Sequence, residues 1–161
     1  MKLNIIIISI LLTLSACGYS MRGSINIPSS IKSISVTSDQ YSELVDILNS
    51  SLNSSNIKSS ISKDDNMYGI VILSETFNRR QLSINSAGRV NEYELIYSVN
   101  FELKIPNKKS IKDRIILYRD YSFDENNVMG NSDRESDIQK GMMFTASTLI
   151  FNKLIASTKK E

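Results

Sequence analysis

From Tyr93 to Ile105 the chain alternates. Tyr93, Leu95, Tyr97, Val99, Phe101, Leu103 and Ile105 are apolar, while Glu94, Ile96, Ser98, Asn100, Glu102 and Lys104 between them are mostly polar. Successive strand side chains point to opposite faces, so this period predicts a long strand with one face on a core and the other towards water. Pro106-Asn107 ends it, and residues 115–123 predict a second strand joined to it as a hairpin through residues 107–112. Upstream, residues 68–77 read as a strand, residues 81–84 as the start of another, and Asn85-Ser86-Ala87-Gly88 as a turn. Residues 31–36 carry enough β-branched side chains for a short first strand.

Two segments switch to the helical period. Tyr41, Leu44, Val45, Leu48 and Leu52 fall on one face of a 3.6-residue repeat, which predicts a helix over residues 41–52. Residues 53–66 are rich in Ser and Asn and read as a polar connection. Near the end, Ser132-Asp133-Arg134-Glu135 has the S-x-x-E form of a capping box. Ile138, Met142, Ala146, Leu149 and Ile150 then form an apolar stripe, and Lys159-Lys160 suit the negative end of a helix dipole. The order predicts an α+β two-layer sandwich: a small, mainly antiparallel four-stranded sheet with two helices packed on one face. No internal repeat is visible.

The first residues change the picture. Lys2 is followed by an apolar run, Ile5-Ile6-Ile7-Ile8-Ser9-Ile10-Leu11-Leu12-Thr13-Leu14, and then by Ser15-Ala16. That is the layout of a secretory leader over residues 1–16, too short for a span that needs roughly 20 apolar residues. Leu14-Ser15-Ala16-Cys17 looks like a lipobox, in which the cysteine thiol takes a diacylglyceryl group and becomes the mature N-terminus. Cys17 is the sole cysteine, so lipidation accounts for it and leaves no disulfide. Gly18, in place of the aspartate that tends to retain lipoproteins in the inner membrane, points to the outer one. Residues 17–30 then read as a lipidated tether, and residues 31–158 as one domain.

Charge and composition remove several function classes. Of 19 cations one, Lys2, lies in the leader, leaving 18 against 17 acids in the mature chain. So even a balance argues against a nucleic-acid surface. With no histidine and one cysteine, the usual zinc and transition-metal ligands are missing, and Ser–His–Asp and Cys–His chemistry is excluded. No cofactor, no metal and no enzymatic activity is expected. Glu92 and Glu94 share a strand face that reads as exposed, better suited to solvent or a partner wall than to acid–base work.

Residues 80–101 (RQLSINSAGRVNEYELIYSVNF) resemble the LPS-assembly lipoprotein family, LptE. So do Cys17-Gly18-Tyr19-Ser20-Met21-Arg22-Gly23, similar to that family's lipidated opening, Pro28-Ser29 before a short strand, and Tyr118-Arg119-Asp120-Tyr121-Ser122-Phe123-Asp124 before the last helix. Met21 stands where leucine is common, and residues 53–66 match least. The resemblance implies two helices on a small sheet, and a lipoprotein anchored in the outer membrane by its acyl chains, palmitate among them, facing the periplasm. It also implies a partner, the β-barrel LptD, which such proteins plug and help assemble, and a part in delivering lipopolysaccharide to the outer leaflet.

Anionic phosphates on such a ligand direct attention to arginine, which grips phosphate in a bidentate way. Arg79, Arg80 and Arg89 flank the 85–88 turn, and Arg134 lies in the predicted first turn of the last helix. Arg80, Arg89 and Arg134 are the candidate lipopolysaccharide-binding residues. The positions where the family carries basic residues hold Ser86 and Ser132 here, with Arg89 and Arg134 a few residues away. A pilotin or scaffold for a different barrel machine is the alternative reading.

Overall fold

The computed structural model describes residues 27–28, 31–60 and 66–158. The leader, Cys17, most of the tether and Lys159-Lys160 lie outside the described residues. Among the described residues five strands and two helices follow in the order β1 (Ser33–Ser38), α1 (Glu43–Ser54), β2 (Lys58–Ser60), β3 (Gly69–Ile84), β4 (Val90–Lys104), β5 (Ile111–Ser122) and α2 (Val128–Thr158). The strands form one sheet in the order β2-β1-β3-β4-β5. β3, β4 and β5 are antiparallel, whereas β1 runs parallel to both its neighbours.

The α+β class and the two-helix layer are those the sequence predicts, with one strand more than the predicted four. The segments expected at 68–77 and 81–84 are one continuous strand, β3. The fifth strand, β2, lies inside the segment read as a polar connection. Its three residues are held by backbone pairing to Ser33–Ser35 rather than by apolar side chains, so they carry no hydrophobic pattern.

The 93–105 alternation holds. Leu95, Tyr97, Val99, Phe101, Leu103 and Ile105 are buried against the helices, and Tyr93 packs half-buried beside them. The opposite face carries Ile96, Asn100 and Glu102, and Arg114 donates from β5 to the Ser98 hydroxyl across it at 3.0 Å. The expectation that Glu92 and Glu94 stand exposed is corrected. Glu94 is 9% exposed because Arg80 folds over it from β3, and Glu92 accepts from Ser83 at 2.7 Å.

β3 follows no single alternation because it is bulged. Ile72 pairs with Phe101 and Ser74 with Asn100, so Leu73 is an extra residue. Ile70 and Ile72 face the helices before the bulge; opposite Val99, Tyr97, Leu95 and Tyr93, the residues Glu75, Phe77, Arg79 and Gln81 face them after it. Phe77 stacks on Tyr97, ring centroids 4.1 Å apart.

α1 begins at Ser42, whose Oγ accepts from the Val45 N–H. Tyr41, expected on its apolar face, precedes the helix and is 89% exposed. The helix ends in a Schellman motif. Asn56 takes a φ of 56°, Ile57 N–H donates to Leu52 O at 3.0 Å, and Asn56 N–H donates to Asn53 O at 3.1 Å.

α2 starts four residues before the predicted capping box. Asn127 caps it by accepting from Gly130 N–H at 3.0 Å, which leaves Ser132 exposed inside the helix and frees Glu135 for another role. At 31 residues α2 is about 46 Å long. Its buried face is Met142, Met143, Ala146, Ser147, Ile150, Phe151 and Leu154; Leu149, expected on it, turns to solvent.

Candidate functional site

The apolar contact of α2 begins near Ile138, so its first ten residues need another hold on the sheet. Glu135 provides it. Its Oε2 accepts from the Tyr121 hydroxyl at 2.7 Å and from Arg79 Nη1 at 2.9 Å. The Arg79 guanidinium also lies 4.5 Å from the centroid of the Tyr93 ring, within cation–π range. Tyr93 meets Tyr121 at 5.9 Å and Phe123 edge-on at 5.2 Å. Burial, then the bond to Glu135, raises the Tyr121 phenol above its ordinary range, and the bonds to Tyr121 and Glu135 raise Arg79. One side chain from each of β3, β4, β5 and α2 meets here.

A second set of bonds joins the β3–β4 turn to the β5–α2 connection. In the turn, Gly88 N–H donates to Asn85 O at 3.0 Å, Asn85 Oδ1 accepts from Ala87 and Arg89 N–H, and Gly88 adopts a φ of 76°. Arg89 forms an ion pair with Glu125 in the connection, and Phe123 N–H donates to Asn91 O at 2.9 Å. Asn131, buried in the second turn of α2, clamps the same connection. Its amide donates to Asp124 O at 2.6 Å and accepts from Asp124 N–H at 3.0 Å.

The predicted arginines therefore part company. Arg89 and Arg134 come together at this end of the sheet, distal to the entry of the chain at Ile27, and there Arg134 donates to Ser122 O at 3.3 Å. Arg80 lies on the sheet face away from the helices and pairs with Glu94 at 2.5 Å. That pair is less free than Arg89–Glu125, because the Glu94 side chain is only 11% exposed and would be left buried and unpaired if Arg80 turned away. Both partners of Arg89–Glu125 are well exposed, and such a pair contributes about 0–1 kcal/mol. A phosphate can take the place of its carboxylate at little cost. Exposed apolar side chains flank this end: Ile84 in β3, and Val128 and Met129 in the first turn of α2.

Sequence reading missed Asn131, Glu125 and the roles of Glu135 and Tyr121. Their partners lie in other elements, and no local spacing marks them. Arg79 was visible as one of two adjacent arginines, but the bulge decides which of the two faces the helices.

A second polar cluster holds α1. Glu75 accepts from the buried Tyr97 hydroxyl and from Ser42 Oγ, each at 2.6 Å. Burial, then the bond to Glu75, pushes the Tyr97 phenol far up. Among the described residues no group of His, Cys, Asp or Glu could hold a metal ion, and no helix is long and apolar enough to cross a membrane.

The sequence model of the family described as LptE, lipopolysaccharide-assembly, matches residues 31–154. Among solved structures, the chain is similar to the rare lipoprotein B from Shewanella oneidensis, with a TM-score of 0.69 and 27% identity over 79% of this chain and 96% of that one. It is similar in fold to the uncharacterized lipoprotein B from Nitrosomonas europaea, with a TM-score of 0.66 and 21% identity over 88% of this chain and 92% of that one. It also shares its fold with a minor lipoprotein from Acinetobacter baumannii, with a TM-score of 0.62 and 21% identity over 81% of this chain and 96% of that one. No curated protein sequence matches significantly.

Proposed function

Because this chain belongs to the LptE family of lipopolysaccharide-assembly proteins, we propose that it is an outer-membrane lipoprotein, lipidated on Cys17, that plugs the LptD β-barrel. In that place it assists assembly of the barrel and takes part in delivering lipopolysaccharide to the outer leaflet, without catalysing a reaction. The observation that carries the ligand half of this reading is the distal end. An exchangeable guanidinium, Arg89, stands there with exposed Ile84, Val128 and Met129 around the same end. A glycolipid with phosphates beside acyl chains needs both kinds of contact. The leader and the lipobox-like Leu14-Ser15-Ala16-Cys17 support the anchor.

The test is extraction of the full-length protein from cell envelopes in mild detergent, with identification of what co-purifies. Recovery of LptD is the expected result; a secretin without LptD would replace this reading with that of a pilotin. Lipopolysaccharide binding by the purified mature chain carrying Cys17→Ser adds the second arm. Arg89→Glu lowers it several-fold at low salt, and Arg80→Gln lowers it less, because Arg80 is committed to Glu94. Unchanged binding in a folded Arg89→Glu variant removes the distal end from the ligand site.

A further inference from the structure

Lysine is not spread evenly over this molecule. The register places one end of every strand together: Lys58 opposite Ser33, Gly69 opposite Ser35 and Lys104, and Ile111 opposite Leu103. Along that end stand Lys32, Lys58, Lys104, Lys108, Lys109 and Lys112. Lys58 N–H donates to Lys32 O at 3.3 Å, which puts these two side by side. Lys153, from the last turns of α2, pairs with Asp113 beside them. Among the described residues Lys140 is the one lysine elsewhere, and of the described acids just Glu102 and Asp113 share this end. Lys32, Lys58, Lys109 and Lys112 are exposed. With strands about 4.8 Å apart, the row is about 19 Å wide.

The same end is where the chain enters the domain. Ile27 and Pro28 line one cavity with Ile31, Lys32, Ile57 and Lys58, Ile31 N–H donates to Pro28 O at 2.9 Å, and Ile27 packs on the core. Nine residues, and so ten Cα–Cα steps, lie between Cys17 and Ile27, a reach of at most about 35 Å when fully extended. In a chain anchored at Cys17 the lysine end is therefore where the tether joins the domain.

We infer that this lysine row is a second membrane contact, which seats the anchor end of the domain on the headgroups of an anionic phospholipid surface. The inference rests on the Cys17 anchor for its orientation, but the contact itself needs no acyl chain. A cation near an anionic bilayer surface gains about as much as a fivefold rise in partitioning, and the gain decays within a Debye length. Four exposed lysines acting together hold the anchor end of the domain at the level of the headgroups.

The experiment uses the mature chain carrying Cys17→Ser, and vesicles of phosphatidylcholine with or without phosphatidylglycerol. We expect sedimentation with the anionic vesicles at low salt, loss of most of it at high salt, and little binding to pure phosphatidylcholine. The variant K32Q/K58Q/K109Q/K112Q loses binding by tenfold or more, and the matching Lys→Arg variant keeps it, with circular dichroism confirming that both are folded. Equal binding to both vesicle types overturns the inference. So does loss of binding in Arg89→Ser with retention in the glutamine variant, since the distal end would then be the membrane face. Because no acyl chain is present, failure here leaves the anchor to be judged by fatty-acid labelling of Cys17 in cells.

Discussion

Glu135→Ala removes the carboxylate on which Arg79 and Tyr121 converge. The hydroxyl bond from Tyr121 to a charged acceptor contributes about 1.5–3 kcal/mol. The Arg79–Glu135 pair, with its guanidinium half exposed, adds about 0–1 kcal/mol. Alanine returns a few tenths of a kcal/mol through its higher helix propensity. The expected loss is about 2–3 kcal/mol. For a domain of this size each kcal/mol moves the midpoint by about 3–5 °C, so Tm falls by roughly 6–15 °C. Glu135→Gln keeps a neutral acceptor and loses about 1 kcal/mol. The assay is thermal unfolding of the mature Cys17→Ser chain followed by circular dichroism, with Arg79→Ala, Glu135→Ala and the double variant forming a cycle. Side chains in one network couple by about 0.5–3 kcal/mol, so the double variant must be less destabilised than the sum of the singles. Strict additivity, or a Glu135→Ala midpoint within a degree of the parent, would refute the network as the hold on the start of α2.

Two further outcomes are expected. The Tyr121 phenol is raised above its ordinary value of 10 by burial and by Glu135, so the stability it supplies is fully present below pH 10 and is lost as pH rises through its folded value. Tyr121→Phe should therefore lose less stability than the parent between pH 10 and 12 in urea titrations, and parallel losses would contradict the shift. At the β3–β4 turn, Gly88 has a φ of 76° and no atom within 4 Å of a built Cβ, so any cost of Gly88→Ala is backbone strain alone, about 1 kcal/mol. Gly88→Asn should cost less, and equal midpoints for the parent and both variants would show that the turn is not held left-handed.

How far the fold could be read from the chain varied with the source of each element's order. β4 was legible on its inward face because it is an interior strand with every second side chain from Leu95 to Ile105 in the core, but not on its outward face, where Arg80 covers Glu94. α1 was legible in its body, since Leu44, Leu48 and Leu52 all point inward, but not at its start, where Ser42 rather than Tyr41 sets the boundary. β2 was not legible at all. Three residues, Lys58, Ser59 and Ser60, join the sheet through their backbone, and backbone bonding leaves no trace in side-chain pattern. The S-x-x-E signature before the last helix misled because its serine lies inside the helix, with Asn127 capping earlier. At the candidate site, Arg89 and Arg134 were found as charges near a turn and a helix start. What they bond to came from elements far apart in sequence, and only the folded chain brings Glu125 and Ser122 to them.

The extra residue at Leu73 also bears on how this chain can change over generations. Deleting Leu73 itself leaves every later pairing as it is, whereas straightening the strand with Leu73 retained would shift the pairing of everything from Ser74 to Gln81 by one position, and in a strand a shift of one exchanges the two faces. Arg80 would move inward to where Arg79 meets Glu135, Arg79 would be turned out to solvent, and Glu75 would leave Tyr97 and Ser42 without their acceptor. Losing the bulge while keeping the residue is thus equivalent to eight simultaneous substitutions, whereas losing both together takes one codon and leaves the faces as they are. A relative that lacks both the bulge and its extra residue carries the same alternation, displaced by one position in its sequence. Aligned without a gap at this position, the two sequences would match outward residues with inward ones, and their common ancestry would be hardest to see along the strand that most directly joins the sheet to its helices.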